Sequence, residues 1–303
     1  MQRLISYAQN AEDIVLWRTL GTRNGPGSYV DIGACHPTGD SVTKLFYERG
    51  WRGVSVEPLP ALHRALEEER PEDVNLNVGV SDLSGTRVLH YIPEAVGLST
   101  MNAQLATGQR AQGRAIEEIE VTVRTLAEIV AEHVHDDVDF LKIDVEGHER
   151  EVLLGADWSS FRPRVVVIEA TFPETWEDVL VDAGYRFTQY DGINNFYVRS
   201  DEEETLGPNL RQPATVMDLY DPWHYVSQLR ASAAWIDALT RERDDLLRAK
   251  GAEIAVLTRQ RDDLQAQRAA LLNPDVIAGR ELARALGRRI VSRGRQVVRG
   301  RGR

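Results

Sequence analysis

Along the first 200 positions, short apolar runs alternate with stretches whose apolar residues recur every three to four places. The runs SYVDIG (28–33), GVSVEP (53–58), VNLNVGVSD (74–82), VDFLKID (138–144) and RVVVIEA (164–170) read as buried strands. Between them, 41–50, 59–70, 147–156 and 173–184 carry helical periodicity, and a further short helix falls near 125–132. TRVLHYI (86–92) and the alternating IEEIEVTVRTL (116–126) add strand or hairpin arms, and YRFTQYDGINNFYVRS (185–200) turns back on itself at Asp191-Gly192. Strands that alternate with helices predict an α/β, doubly wound, mostly parallel sheet, closed here by a C-terminal antiparallel hairpin.

Three segments stand outside that alternation. Pro93 to Gln112 is polar, has no clear period, and reads as a lid or substrate loop. Residues 201–224 hold three prolines and an acidic run, the marks of a linker or strap. From 226 to 272 there is no proline. Leu229, Ile236, Leu257, Leu264 and Leu271 share one seven-residue register that also meets Arg243 and Lys250, with Leu239, Leu246, Leu247 and Ile254 in companion positions. This spacing predicts a long helical coiled-coil extension of about 70 Å that pairs with a second copy.

Composition narrows the class. The 303 residues are 42% hydrophobic and 27% charged, enough to build cores in about two units. The single cysteine, Cys35, excludes an internal disulfide framework and any multi-cysteine metal site. The opening MQRLISYAQNAED has no apolar signal core, and no run is long enough to span a membrane, so a cytoplasmic location is expected. The net charge of −11 conceals an asymmetry. Residues 279–303 carry nine arginines against Glu281, a tail of +8, which leaves −19 for the rest. An acidic body disfavours nucleic acid, while the arginine-rich end, with its spaced Ile277, Leu282, Leu286 and Ile290, suits an anionic membrane surface.

The candidate chemistry collects at strand ends. Asp31 closes the first strand and Gly33 follows at once, where a cofactor can approach the backbone. Cys35 stands where a dinucleotide fingerprint needs its second glycine, and His36-Pro37 follow, which favours a cofactor without a pyrophosphate. Glu57 ends the second strand, 26 residues on, and can accept hydrogen bonds from both hydroxyls of a ribose. Asp82 ends the third run and either reaches an adenine or caps its own turn. In FLKIDVEGHE, Glu146 or His148 could take a proton from a substrate hydroxyl. Asp144, Glu146 and Glu149 beside His148 could instead hold Mg²⁺, or the acids could simply favour a helix N-terminus.

Together these segments resemble the FkbM family of S-adenosyl-L-methionine-dependent methyltransferases. The likeness rests on SYAQNAEDIVL (6–16), YVDIGACHP (29–37), FYERGWRGVSVEP (46–58), GVSDLSG (79–85), LKIDVEGHEREVL (141–153), VVVIEAT (165–171) and YDGINNFYV (190–198). It implies a Rossmann-like methyltransferase fold and transfer of a methyl group to a hydroxyl of a sugar, glycan or natural-product acceptor. It implies that Asp31, Gly33 and Ala34 line the methionine part of the cofactor. Glu57 would bind its ribose, Asp82 would lie on its adenine side, and Gln9 and Asp13 would close over it. Asp144, Glu146 and His148 would face the acceptor. Many relatives have asparagine, with a further glycine soon after, where this chain has Cys35. The expected organisation is a methyltransferase domain at 1–200, a strap at 201–225, a coiled-coil helix at 226–273 and a basic tail at 274–303. Two other classes share some of these features: a nicotinamide-dependent oxidoreductase and a non-catalytic coiled-coil scaffold.

Overall fold

The computed structural model describes residues 3–22, 24–172 and 175–271, together with Arg284 and Arg288. It divides into two compact units, Met1–Leu229 and Arg230–Arg303. In the first, seven strands form one sheet around β2 (Ser28–Ile32). On one side of β2 lie β3 (Arg52–Val56) and β4 (Val74–Leu76); on the other lie β8 (Phe140–Ile143) and β9 (Val165–Glu169), all parallel. Beyond β9 comes β11 (Asn194–Arg199), antiparallel to it, and β10 (Tyr185–Tyr190) forms the edge, antiparallel to β11. Only β11 therefore runs against the sheet. The chain leaves β2 toward β3 and β4 and later returns to β8, so the direction of winding reverses between β2 and β8.

Side-chain alternation splits the core into two layers. Val30, Ile32, Leu141, Ile143, Val166 and Ile168 pack under α5 (Leu126–His133), α6 (Glu149–Leu154) and α7 (Glu177–Asp182). Tyr29, Phe140, Val165 and Val167 face the opposite layer, with α1 (Glu12–Leu20), α2 (Lys44–Tyr47) and α8 (Glu203–Leu210). The rule that puts Tyr29 on this second face puts Asp31 there too, two residues on. Lys142 is its register partner on β8.

Two expected elements come out differently. VNLNVGVSD is not one strand. After β4 the Asn77 amide donates to the carbonyls of Glu57 and Pro58, both at 3.0 Å, which ties the chain to the end of β3. The remainder, β5 (Gly79–Val80), leaves for a second sheet in the order β5-β7-β6, with β6 (Gly85–Tyr91) and β7 (Glu117–Arg124). The insert, expected as a loop, contains a 3₁₀ turn at Val96–Leu98 and the helix α4 (Ala103–Ala111). Only Ala106 of α4 is buried, so no apolar stripe announces it; α3 (Pro60–Glu69), expected from the sequence, also buries only Leu66.

Residues 201–224 are built into the first unit. Leu206 and Leu210 of α8 are buried beside Ile14, Val15 and Leu16 of α1. The acidic run has partners: Glu202 accepts from Arg164 and Arg199, and Glu203 pairs with Arg186. The segment ends in β12 (Tyr220–Pro222), parallel to β1 (Leu4–Ser6), and the Trp223 ring then meets Tyr7 at 5.2 Å between centroids. The compact unit thus runs to Leu229, beyond the boundary expected at 200.

The helix α9 spans Trp223–Leu271, 49 residues or about 73 Å. Ile236, Leu239, Leu246, Leu247, Ile254, Leu257 and Leu264 are all exposed along it. The expected membrane-facing tail lies, apart from Arg284 and Arg288, outside the described residues. Among the described residues no helix is long and apolar enough to cross a membrane.

Candidate active site

The carboxyl ends of β2, β3 and β8 meet where the winding reverses, the position at which open α/β sheets hold ligands. The backbone there is very close. A Cβ on Gly33 would lie 1.8 Å from the carbonyl oxygen of Asp144, and Gly33 adopts φ +77°. The N–H groups of Gly33 and Ala34 both donate to the carbonyl of Val56, at 3.0 and 3.1 Å, so the loop folds over the end of β3. Cys35 continues it at φ +50°.

Above this crossing opens a cavity of about 290 Å³. Its floor includes Gly33, Cys35, Glu57, Lys142, Asp144 and Glu146. Leu62, Gly79, Val80 and Leu89 make an apolar side, Val96–Ser99 and Met101 of the insert make another, and Gln9, Glu12 and Asn194 close the rim. Five acids of the lining, Glu12, Asp40, Glu57, Asp144 and Glu146, face a single lysine. The site suits a positively charged ligand.

Glu57 and Lys142 are each held by specific partners. Glu57 is buried, and its two oxygens accept the N–H groups of Leu59 and Cys35 at 2.8 and 2.9 Å. Burial pushes its pKa up to about 7. Lys142 donates to the Gly33 carbonyl at 2.7 Å and lies 3.5 Å from Asp31 and 3.4 Å from Asp144. Burial works against its charge, but Asp144 and Asp31 outweigh that and hold its pKa above the ordinary lysine value. Asp31 also accepts from Thr43 at 2.7 Å, and Thr43 accepts from the buried Arg70 at 2.6 Å. Arg70 (through Thr43), Asp31, Lys142 and Asp144 therefore alternate in sign from under the cavity up to its lining. Sequence reasoning missed Arg70 and Lys142, although a lysine inside the apolar run FLKI is itself a signal.

Of the residues expected to bind cofactor or acceptor, Gln9, Gly33, Glu57, Asp144 and Glu146 line the cavity. The other five do not, each for a visible reason. Asp31 points to the helix side of β2, under the floor, where Thr43 and Lys142 take it. Ala34 is buried between two lining residues. Asp13 is fully buried and binds the Ser6 hydroxyl and the Tyr7 N–H, both at 2.7 Å, stapling the N-terminal segment; burial pushes its pKa to about 7. Its neighbour Glu12 reaches the cavity instead, held by Asn194 at 2.6 Å and by the Asn10 N–H at 2.8 Å. Asp82 accepts from Ser81 at 3.0 Å beyond the end of β5, while Gly79 and Val80 of that strand line the cavity. His148 lies 3.0 Å from the Ser81 hydroxyl and 3.5 Å from Glu151, and so joins the start of α6 to the end of β5.

The acids at the end of β8 also sort differently from the expected Mg²⁺ set. Glu149 turns back and accepts the N–H groups of Val145 and Gly147, both at 3.1 Å. Glu169, from the end of β9, takes its place: Asp144, Glu146 and Glu169 each bring an oxygen within 4.8 Å of the other two. Burial, reinforced by Asp144 and Glu149, pushes Glu146 up to about 8, and burial with Asp144 and Glu146 raises Glu169 as well. Glu169 was readable in VVVIEA, since it ends its strand just as Glu57 follows β3.

Residues 31–187, about half the chain, match the family described as the methyltransferase FkbM domain. The chain is 31% identical over 126 residues to methyltransferase sdnD of Sordaria araneosa, an alignment covering 34% of this chain and 46% of that protein. It thus spans about half the length of that curated relative. Among solved structures, the methyltransferase FkbM of Methylobacillus flagellatus is similar over 61% of this chain and 47% of its own, at 17% identity and a TM-score of 0.39. A TehB-like SAM-dependent methyltransferase of Corynebacterium glutamicum is similar over 62% and 87%, at 12% identity and a TM-score of 0.33.

Proposed function

The chain belongs to the FkbM methyltransferase family, and from that premise we propose that it transfers the methyl group of S-adenosyl-L-methionine to a hydroxyl of a sugar, glycan or natural-product acceptor. The observation that carries the reading is the pairing of Glu57 and Glu146 in one cavity, on opposite sides of the Gly33 crossing.

The residues fit that cofactor. Each Glu57 oxygen accepts one N–H and keeps lone pairs for ribose hydroxyls. At the crossing, a side chain on Gly33 would strike the Asp144 carbonyl, so only glycine lets the ends of β2 and β8 come this close beside the cavity. The apolar side at Leu62, Val80 and Leu89 suits an adenine, and the excess of carboxylates suits a sulfonium. When bound, the cofactor supplies an electrophilic methyl. What remains for the protein is to align an oxygen and remove its proton. Asp144 and Glu146 are the groups in reach of an acceptor entering between the floor and the insert. Asp144, paired with Lys142, serves as hydrogen-bond acceptor and orients the hydroxyl. Glu146 takes the proton, its pKa near 8 bringing it close to the working pH.

Calorimetry with S-adenosyl-L-methionine tests this reading. The expected result is one site that is weakened in Glu57→Gln, with NADH giving no heat; binding of NADH alone would overturn it in favour of the oxidoreductase. A second route for the proton uses the spacing of Asp144, Glu146 and Glu169, which offers an oxygen set of the kind Mg²⁺ takes. Loss of turnover in EDTA, restored by Mg²⁺, selects that route, and full turnover in EDTA selects Glu146 alone.

The exposed seam of α9 supports assembly with a second copy, the role we assign to this helix. The arginine-rich end is proposed to rest on anionic lipid, which salt-sensitive co-sedimentation with anionic vesicles would test.

A further inference from the structure

We propose that Thr100 and Asn102 are positioning residues, which fix the carboxyl of Glu146 by holding the two backbone carbonyls that flank its turn. This goes one step beyond the reading of Glu146 as the proton acceptor, and rests on it for its functional meaning.

The turn after β8 is unusual. Glu146 has φ +55° and Gly147 has φ +84°, two left-handed residues in succession, the first bearing a side chain. A residue with a Cβ keeps that conformation only where its surroundings hold it. Here they do so from both sides. The N–H groups of Val145 and Gly147 go to the Glu149 carboxylate, inside the same segment. The carbonyls go elsewhere. The Thr100 hydroxyl donates to the Glu146 carbonyl at 2.6 Å, and the Asn102 amide donates to the Gly147 carbonyl at 3.0 Å. Leu105 covers the turn so closely that a Cβ on Gly147 would lie 2.3 Å from its methyl.

Both donors are themselves fixed. Thr100 exchanges backbone hydrogen bonds with His90 of β6, at 2.8 and 3.2 Å, and its hydroxyl accepts the Asn102 N–H at 2.8 Å. The Asn102 carbonyl oxygen caps α4, accepting from Gln104 and Leu105. The stretch also alternates. Ser99 and Met101 line the cavity, while Thr100 and Asn102 reach the turn. One strand-like piece of the insert therefore touches the acceptor space with one set of side chains and the Glu146 turn with the other. An acceptor that seats against Ser99 and Met101 thereby bears on the placement of the carboxyl.

The test reads the Glu146 carboxyl directly and needs no acceptor. Thr100→Val keeps the shape and removes the donor; Thr100→Ser keeps the donor; Asn102→Ser keeps a cap oxygen for α4 but is too short to reach the Gly147 carbonyl. In crystal structures of these variants, release of the carbonyls is expected to take Glu146 out of its left-handed conformation and to displace its carboxyl by about 1 Å or more in Thr100→Val and Asn102→Ser, with Thr100→Ser like wild type. A general loss of stability does not move one carboxyl of a folded protein. Carboxyl positions within about 0.5 Å of wild type in both Thr100→Val and Asn102→Ser would overturn the proposal. The reading of Glu146 as base fails separately, through methyl transfer that survives Glu146→Gln.

Discussion

Cofactor affinity should follow the ionisation of Glu57. Its free-state pKa is about 7, because burial, reinforced by the repulsion of Asp31, outweighs its two backbone hydrogen bonds and the attraction of Lys142. Hydrogen bonds from ribose hydroxyls favour the ionised form, so the bound complex holds the carboxylate and binding at low pH must first expel a proton. With a pKa of 7, about nine-tenths of the protein is competent at pH 8 and about one-tenth at pH 6. The expected change is about tenfold weaker binding at pH 6, close to 1.4 kcal/mol. The sign follows the charge: affinity falls as pH falls. Glu57→Gln removes the titration, and its amide nitrogen must face one of the two N–H groups that the carboxylate now accepts. Loss of charge-assisted bonds worth about 1.5–3 kcal/mol predicts binding about 10- to 100-fold weaker at pH 8, with a much flatter profile. Calorimetry from pH 6 to 8 in buffers of different ionisation enthalpy measures both the affinity and the proton released. A flat wild-type profile, or a Glu57→Gln variant within twofold of wild type at pH 8, would refute the assignment.

Three further outcomes are expected. Gly33→Ala drives a methyl into the Asp144 carbonyl at a left-handed position, and should cost at least about 2 kcal/mol in urea unfolding and abolish cofactor binding. Lys142→Met strands Asp31 and Asp144 without their shared cation and should cost about 3–5 kcal/mol; adding Asp31→Asn should recover part of that in thermal melts, and an additive double variant would argue against the pairing. Glu at Leu239, Ile254 and Leu257 together should turn an assembly measured by sedimentation into a single chain while leaving the melt of the first unit in place.

The sequence carried the sheet well because each central strand is an apolar run bounded by polar residues, and because Asp31, Glu57 and Asp144 sit at its strand ends. It carried less where burial is not periodic. Helix α4 buries one alanine, and α8 hides its two buried leucines in a stretch of acids and prolines. The break between β4 and β5 depends on one amide, Asn77, bonding to a distant strand end, which no local pattern records. Within the site, strand position alone does not say which way an acid points. Asp31 and Glu57 look equivalent in the sequence, yet one lies under the floor and the other in the cavity. His148 looked like a base because histidine side chains in general change charge near neutral pH; in the fold it lies 3.0 Å from the Ser81 hydroxyl and outside the cavity lining.

The pairing of β1 with β12 has a consequence for how the protein is made. Synthesis delivers residues in order, and domains tend to fold as their sequence emerges. The strand Leu4–Ser6 leaves the ribosome first, yet its partner, Tyr220–Pro222, is more than 200 residues behind it. Gln9 and Glu12, which follow β1 and form part of the cavity wall, are first held through Asp13 and Asn194, and the strand beneath them gains its partner only when that late segment arrives. A nascent chain can thus carry a finished central sheet before the segment that bears this part of the wall has its final anchor.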